Sequence, residues 1–437
     1  MKRILILPIV AAALLAANAQ TARQDIVADP HLSASNYLAY RGPLRQLTPA
    51  PKGYQPFYLS HYGRHGSRYL IGEKDYDYPV SVLTKAHDDG KLTALGEDAL
   101  RRVKLMREES RGRTEELTPL GALQHQQIAE RMYRRFPEVF AGPTDINARS
   151  TIVIRCILSM ENELQQLLRL NPQLNIFHDA SRHDMFYMNL SDKQLEEQKM
   201  PRRARVAYDD YCQPLKCYDA LMQRLFTDQQ YVRYEVDAER LSNNLFKLAG
   251  NLQSSPLAEQ MTLYDLFTPQ ELYQDWLQTN AWWYINFGPS PLNGGTQPFS
   301  QRNLLRNIIE TADTCITKQH PGATLRFGHE TMVLPLTCLL GLNGYDRQMP
   351  LDSLDACGWH NYDIFPMAAN VQFVFYRPVA KRNAKKQTQP ADGEVLLKVL
   401  LNEDEATLPL PSDLAPYYRW SDFRRYYLQK LESYSGR

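Results

Sequence analysis

Residues 60 to 70 read SHYGRHGSRYL, which sets Arg64, His65 and Arg68 around one glycine directly after a short apolar run. Like charges so close repel one another, so the cluster calls for an anion. A solvated surface turn could also carry it, and other stretches have to decide. ARSTIVIRCILSM (148–160) supplies Arg149 and Arg155, and RFGHETMVLPL (326–336) supplies His329 and Glu330. Guanidinium groups match phosphate oxygens in two-bond fashion. A neutral imidazole is a nucleophile, cationic neighbours keep it neutral by lowering its pKa, and a carboxyl beside it can move protons.

Each of the three stretches ends an expected strand. PFYLSHY (56–62) alternates aromatic or apolar residues with small polar ones, as a strand does. DINARSTIVIRCILSMENELQQLLRL (145–170) runs from a strand-like start into a helix, and GATLRFGHE (322–330) leads into the helix-like TMVLPLTCLLGL. Ala94 to Glu109 reads as a helix; in ELTPLGALQHQQIAERMYRRFPEVF (116–140) Thr118 is placed to cap a helix that starts at Pro119. NVQFVFYRP and EVLLKVLLNE form a strand pair across a Lys-rich loop at 380–392. Ligands of open α/β sheets bind at the carboxyl ends of the strands, where helix N-termini favour anions. Between 171 and 299 the texture is charged, aromatic and mainly helical.

This pattern predicts a three-layer α/β core with a central, mostly parallel sheet and an inserted, mainly α-helical cap domain. The core takes residues 20–170 and 300–437, and the cap takes 171–299. Residues 1–19 read as a signal peptide: Lys2 and Arg3 open it, Ile4 to Ala16 are apolar, and Ala17-Asn18-Ala19 suits cleavage. The expectation is an exported chain, periplasmic or extracellular, with no integral membrane segment.

Fifty Lys and Arg stand against 49 Asp and Glu, so the basic excess of a nucleic-acid binder is missing. Six cysteines are too sparse for a disulfide scaffold; one or two bridges at most are expected, with Cys212 and Cys217 able to close a short loop. None has zinc-site spacing, and Val333 stands where a second histidine would complete a His-Glu-x-x-His motif.

Taken in order, RHGSR, LTPLGALQ, ARSTIVIRCILSM, RFGHETMVLPL and LLKVLLNE resemble the histidine acid phosphatases, the group that includes phytases and multiple inositol polyphosphate phosphatases. The resemblance implies an exported phosphomonoesterase acting through a phosphohistidine, on inositol polyphosphates such as phytate or other phosphorylated metabolites. It implies His65 as nucleophile, Arg64, Arg68, Arg155 and His329 as phosphate ligands, and Glu330 as the acid that protonates the leaving oxygen. It implies no metal and no cofactor. Arg149 reads as structural, and His61 and Tyr62 as packing or capping residues. This chain departs from the family where Glu330 follows His329 directly: the usual pairs are His-Asp or His-Ala-Glu. Leu70 also replaces a common proline. The basic stretch KMPRRAR offers Lys199, Arg202, Arg203 and Arg205 as a rim for a polyanion. Two other readings remain open: a phosphomutase of the same fold, and a non-catalytic phosphate- or phytate-binding protein. The oligomeric state is not legible.

Overall fold

The computed structural model describes residues 21–216, 218–379 and 394–434. The expected signal peptide, Cys217 and the Lys-rich loop lie outside the described residues. The strands are β1 (Tyr54–Arg64), β2 (Asp145–Ser150), β3 (Asn175–Asp179), β4 (Gly322–Gly328), β5 (Asn370–Pro378), β6 (Leu396–Leu401), β7 (Asp404–Glu405) and β8 (Tyr418–Arg419). They form one sheet in the order β3-β2-β4-β1-β5-β6-β7, with β8 also paired to β6. β3, β2, β4 and β1 run parallel, while β5, β6 and β7 continue the sheet antiparallel.

Period-two alternation sorts the side chains to two faces. On β1, Leu59 packs under the helices Pro119–Arg135 and Ile154–Leu170, among Ile128, Met132, Leu164 and Leu167. Tyr58 and Tyr62 point to the other face, where Ile308, Leu334, Trp420 and Phe423 come from three helices. Burial on both faces is what parallel strands demand, and it gives the expected three layers. Thr118 caps its helix by accepting from Gly121 N, with Pro119 in the first turn where no N–H is needed.

A third cluster is helical. Leu83, Val103, Leu248 and Trp276 are at most 2% exposed, and they join the helices Glu73–Asp88 and Ala94–Glu109 to Ala238–Leu252 and Pro269–Phe287. This helical layer therefore draws on chain that precedes the expected insertion. β3, in turn, falls inside the stretch read as mainly helical. It is an edge strand whose side chains are largely exposed, so alternating hydrophobicity does not announce it. Its pairing, Asp145 to Asn175 through Arg149 to Asp179, places it. Cys156, Cys315 and Cys338 are buried free thiols; Cys212 and Cys357 are also free.

Candidate active site

β1 and β4 end side by side, with Arg64 level with Gly328. The next residues of both strands therefore meet: His65 N donates to Gly328 O at 2.9 Å, and His329 and Glu330 open the helix Glu330–Leu340. The loop after β1 is held from below by two helices. Gly66 N donates to Ser159 Oγ at 3.0 Å, and Ser67 N donates to Gln124 Oε1 at 2.8 Å. Gly66 is required by a close approach: a Cβ there would lie 2.3 Å from the Gly121 carbonyl oxygen, and nothing at Gly121 can give way because it is backbone. The loop thus sits directly on the cap of the helix that Thr118 begins.

This scaffold brings Arg64, His65, Arg68, Arg155, His329 and Glu330 together. Arg64, His65 and Arg68 are 0–1% exposed, whereas Arg155, His329 and Glu330 keep 9%, so the site opens on their side. His65 Nδ1 lies 2.9 Å from the Gly66 carbonyl oxygen. A carbonyl only accepts, so Nδ1 carries the proton and Nε2 keeps its lone pair. Nε2 faces Glu330 Oε2 at 3.7 Å. Arg64 donates through Nη1 to Phe365 O at 2.8 Å and sets Nε 3.0 Å from Glu330 Oε2. Arg68 donates to Tyr69 O and lies over the Tyr37 ring. Arg155 Nη1 is 3.4 Å from Glu115 Oε2, and His329 Nε2 is 3.3 Å from Thr151 Oγ1. Among the described residues, Arg64 Nη2, Arg68 Nε and Arg155 Nε are buried without a hydrogen-bond partner. Buried donors left unpaired are costly, and an oxyanion with several acceptor sites is the ligand that relieves them.

The electrostatics agree. Burial, then Arg64, Arg155 and Arg68, hold the His65 imidazole well below its ordinary value, so it is neutral around pH 7. Burial and the same guanidiniums lower His329 to about 4, against the pull of Glu330. For Glu330 burial acts upward, but Arg64, Arg68 and His329 override it and bring the carboxyl to about 2. Burial lowers Arg64 to about 10, which leaves it a cation at neutral pH. Ligand atoms of His65, His329 and Glu330 lie within 4.8 Å of one another and could meet a metal ion. Three guanidiniums beside them disfavour a cation and favour an anion.

A model of the "Histidine phosphatase superfamily (branch 2)" matches residues 63–402. The chain belongs to this superfamily. The family match makes this chain a phosphatase. Among solved structures, the multiple inositol polyphosphate phosphatase of Bifidobacterium longum in complex with inositol hexasulfate matches with TM-score 0.68 at 19% identity, over 89% of this chain and 96% of that one. The phytase from D. castellii matches with TM-score 0.64 at 15% identity, over 92% and 85%. Hafnia alvei phytase, in complex with myo-inositol hexakis sulphate, reaches 0.52 at 14% identity, over 88% and 99%. At these identities the likeness concerns the fold. No curated protein matches this chain.

Other residues singled out in the sequence lie elsewhere. His61 is fully buried against Phe327 on the face under the two helices, and burial lowers its imidazole to about 4. Tyr62 crosses Gly328, where a Cβ would be 2.0 Å from its hydroxyl, and donates to Met188 O. Arg149 faces Asp184 at 3.5 Å. In the basic stretch, Lys199 pairs with Glu196 at 2.7 Å and lies over Phe287, Arg203 donates to Leu292 O, and Arg202 and Arg205 are exposed. None of these contacts reaches the arginine–histidine cluster. Sequence reasoning missed Gln124, Ser159 and Glu115. The first two hold the loop after β1 by its N–H groups, and only the packing of distant helices reveals them.

Proposed function

We propose that the chain is an exported phosphomonoesterase that works in two steps through a phosphohistidine on His65, with inositol polyphosphates as the substrate class. The observation that carries this reading is the free Nε2 lone pair of His65, fixed by the Nδ1 bond to Gly66 O amid three arginines with unpaired donors.

In the first step Nε2 attacks phosphorus in line with the leaving oxygen. The P–N bond forms as the P–O bond breaks, and the equatorial oxygens lie on Arg64, Arg68 and Arg155. These contacts strengthen as charge spreads over the oxygens. The leaving alkoxide needs a proton. Glu330, at about 2, holds none in the free enzyme at neutral pH. The pull that lowers it comes from Arg64 and Arg68, and a phosphate dianion pairing with both weakens that pull and adds a negative charge. Glu330 therefore gains proton affinity as substrate binds, and it can take up the proton of a monoanionic ester and pass it to the leaving oxygen. In the second step Glu330 takes a proton from water as the water oxygen attacks phosphorus, which breaks the P–N bond and returns His65 neutral.

The substrate class rests on the inositol hexasulfate complex of the Bifidobacterium longum protein and on the exposed cations Arg202 and Arg205. Export rests on the composition of residues 1–19. The test is rapid quenching into alkaline detergent during turnover of phytate and simple monoesters. It is expected to trap an acid-labile, base-stable phosphoprotein together with released inorganic phosphate. His65→Ala should abolish both; a phosphoprotein that persists in that variant sinks the reading.

A further inference from the structure

Glu115 stands out among the acids near the site. Its φ is 68°, a left-handed conformation that glycine adopts freely and that strains a residue carrying a side chain. The conformation is held by the backbone on both sides: Glu115 N donates to Leu70 O at 3.0 Å, and Tyr69 N donates to Glu116 O at 3.1 Å. Those partners directly follow Arg68, so the turn is tied to the phosphate-binding loop itself. The neighbouring acid, Glu116, is engaged with Arg113 at 3.1 Å. Glu115 instead turns its carboxylate to Arg155, with Oε2 at 3.4 Å from Nη1. The Glu115 side chain is 54% exposed against 10% for Arg155. One partner can thus swing into water at little cost while the other stays in place.

We propose that Glu115 is a resident counter-anion of Arg155, displaced when a phosphoryl group arrives, and that it weakens binding of the product phosphate so that the site clears between turnovers. The inference rests on the reading of Arg155 as a phosphate ligand. With the site free, Arg155 has Arg64 and Arg68 near it, and Glu330 is the acid on their side. Glu115 relieves that repulsion. When phosphate binds, the same carboxylate becomes a like charge beside the anion, and part of the binding energy goes into moving it. An ordinary surface ion pair does not explain the placement, because such a pair adds little stability, and glycine at this position would remove the strain.

The test is calorimetric titration of the full chain with inorganic phosphate, alongside phosphate inhibition of turnover. Glu115→Gln should bind phosphate about two- to fivefold more tightly, the range of an exposed ion pair, and its inhibition constant should fall in step. Glu115→Gly removes both charge and strain; it should show the same tightening and a higher Tm. The difference between wild type and Glu115→Gln should shrink as salt rises, since screening acts on the charge and not on the loop. A Glu115→Gln variant that binds phosphate as wild type does, or more weakly, overturns the role of Glu115 alone. A wild-type chain that binds no phosphate overturns the phosphatase site and this inference together.

Discussion

His65 and His360 are both buried histidines, and the fold treats them in opposite ways. His65 sits among Arg64, Arg68 and Arg155, and burial together with those cations drives its proton off. His360 has Nε2 3.0 Å from Asp355 Oδ1 and Nδ1 3.0 Å from the Tyr362 hydroxyl, with Asp363 at 3.5 Å. Burial acts to lower it as well, but Asp355 and Asp363 win and raise it to about 9. Around His360 every group has a partner. Asp355 also accepts from Ala22 N and the Tyr273 hydroxyl, and Tyr362 donates to Asp25. That network fastens the helix Ala22–Ala28 and the helix Pro269–Phe287 to residues 355–362. Around His65, by contrast, buried donors outnumber acceptors. One region uses its charges to hold the fold, and the other leaves donors unpartnered among the described residues, as the proposed phosphate site requires.

The sharpest test of the second half of that contrast is Glu330, the buried carboxylate beside Arg64 in the cationic cluster. An alkoxide is a poor leaving group and a positioned acid contributes about 10²- to 10⁴-fold to its departure, whereas a nitrophenolate leaves with little help. Glu330→Gln should therefore cut transfer from an alkyl phosphate to His65 by that order and transfer from nitrophenyl phosphate only mildly. Single-turnover measurements isolate this step from phosphohistidine hydrolysis. An equal loss with both leaving groups would remove Glu330 as proton donor and leave it a mere counter-ion of Arg64.

Arg155 separates binding from stability. Arg155→Ala should lower kcat/KM by about 10²- to 10³-fold, as for a lost donor to transition-state charge, and Arg155→Lys should recover little because an ammonium lacks the planar two-bond contact. Thermal stability should hold or rise, since the substitution relieves repulsion with Arg64 and Arg68. A variant that unfolds more easily and remains active would place Arg155 with the structural charges, on the His360 side of the comparison.

How far these roles were legible in the sequence depends on their range. Thr118 and Pro119 announce a helix start through local backbone chemistry, and the structure caps that helix as expected. The strand that ends at Arg64 shows itself by alternation and the one before His329 by apolar residues ahead of a glycine, whereas their adjacency, which joins RHGSR to the His-Glu pair, comes from the sheet pairing. Glu115 carries no such signal, because its importance lies in a φ angle and in an arginine 40 residues away. The His360 network was equally hidden: Ala22, Tyr273 and Asp355 are brought together only by packing of the helical layer. β3 escaped notice because an edge strand needs backbone bonds and few buried side chains.

The smallest effect expected concerns His360 and the stability of the fold. Its pKa rises from the ordinary 6.5 to about 9 on folding. A group raised in this way binds its proton more tightly in the folded chain. Its contribution is full below pH 6.5 and disappears as pH climbs through about 9. Each tenfold gain in proton affinity is worth about 1.4 kcal/mol, so the contribution is at most about 3.5 kcal/mol. Wild-type chain should therefore lose stability between pH 6.5 and 9, measured by denaturant unfolding at constant salt. His360→Asn has no proton to lose in this range; it should start less stable at pH 6 and show a flatter profile up to pH 9. His65 is neutral in the folded chain throughout that window and in the unfolded chain over most of it, so it adds little slope of its own. If His360→Asn loses as much stability as wild type over the same interval, the Asp355 pair does not hold its proton. The contrast between the two histidines would then reduce to His65 alone.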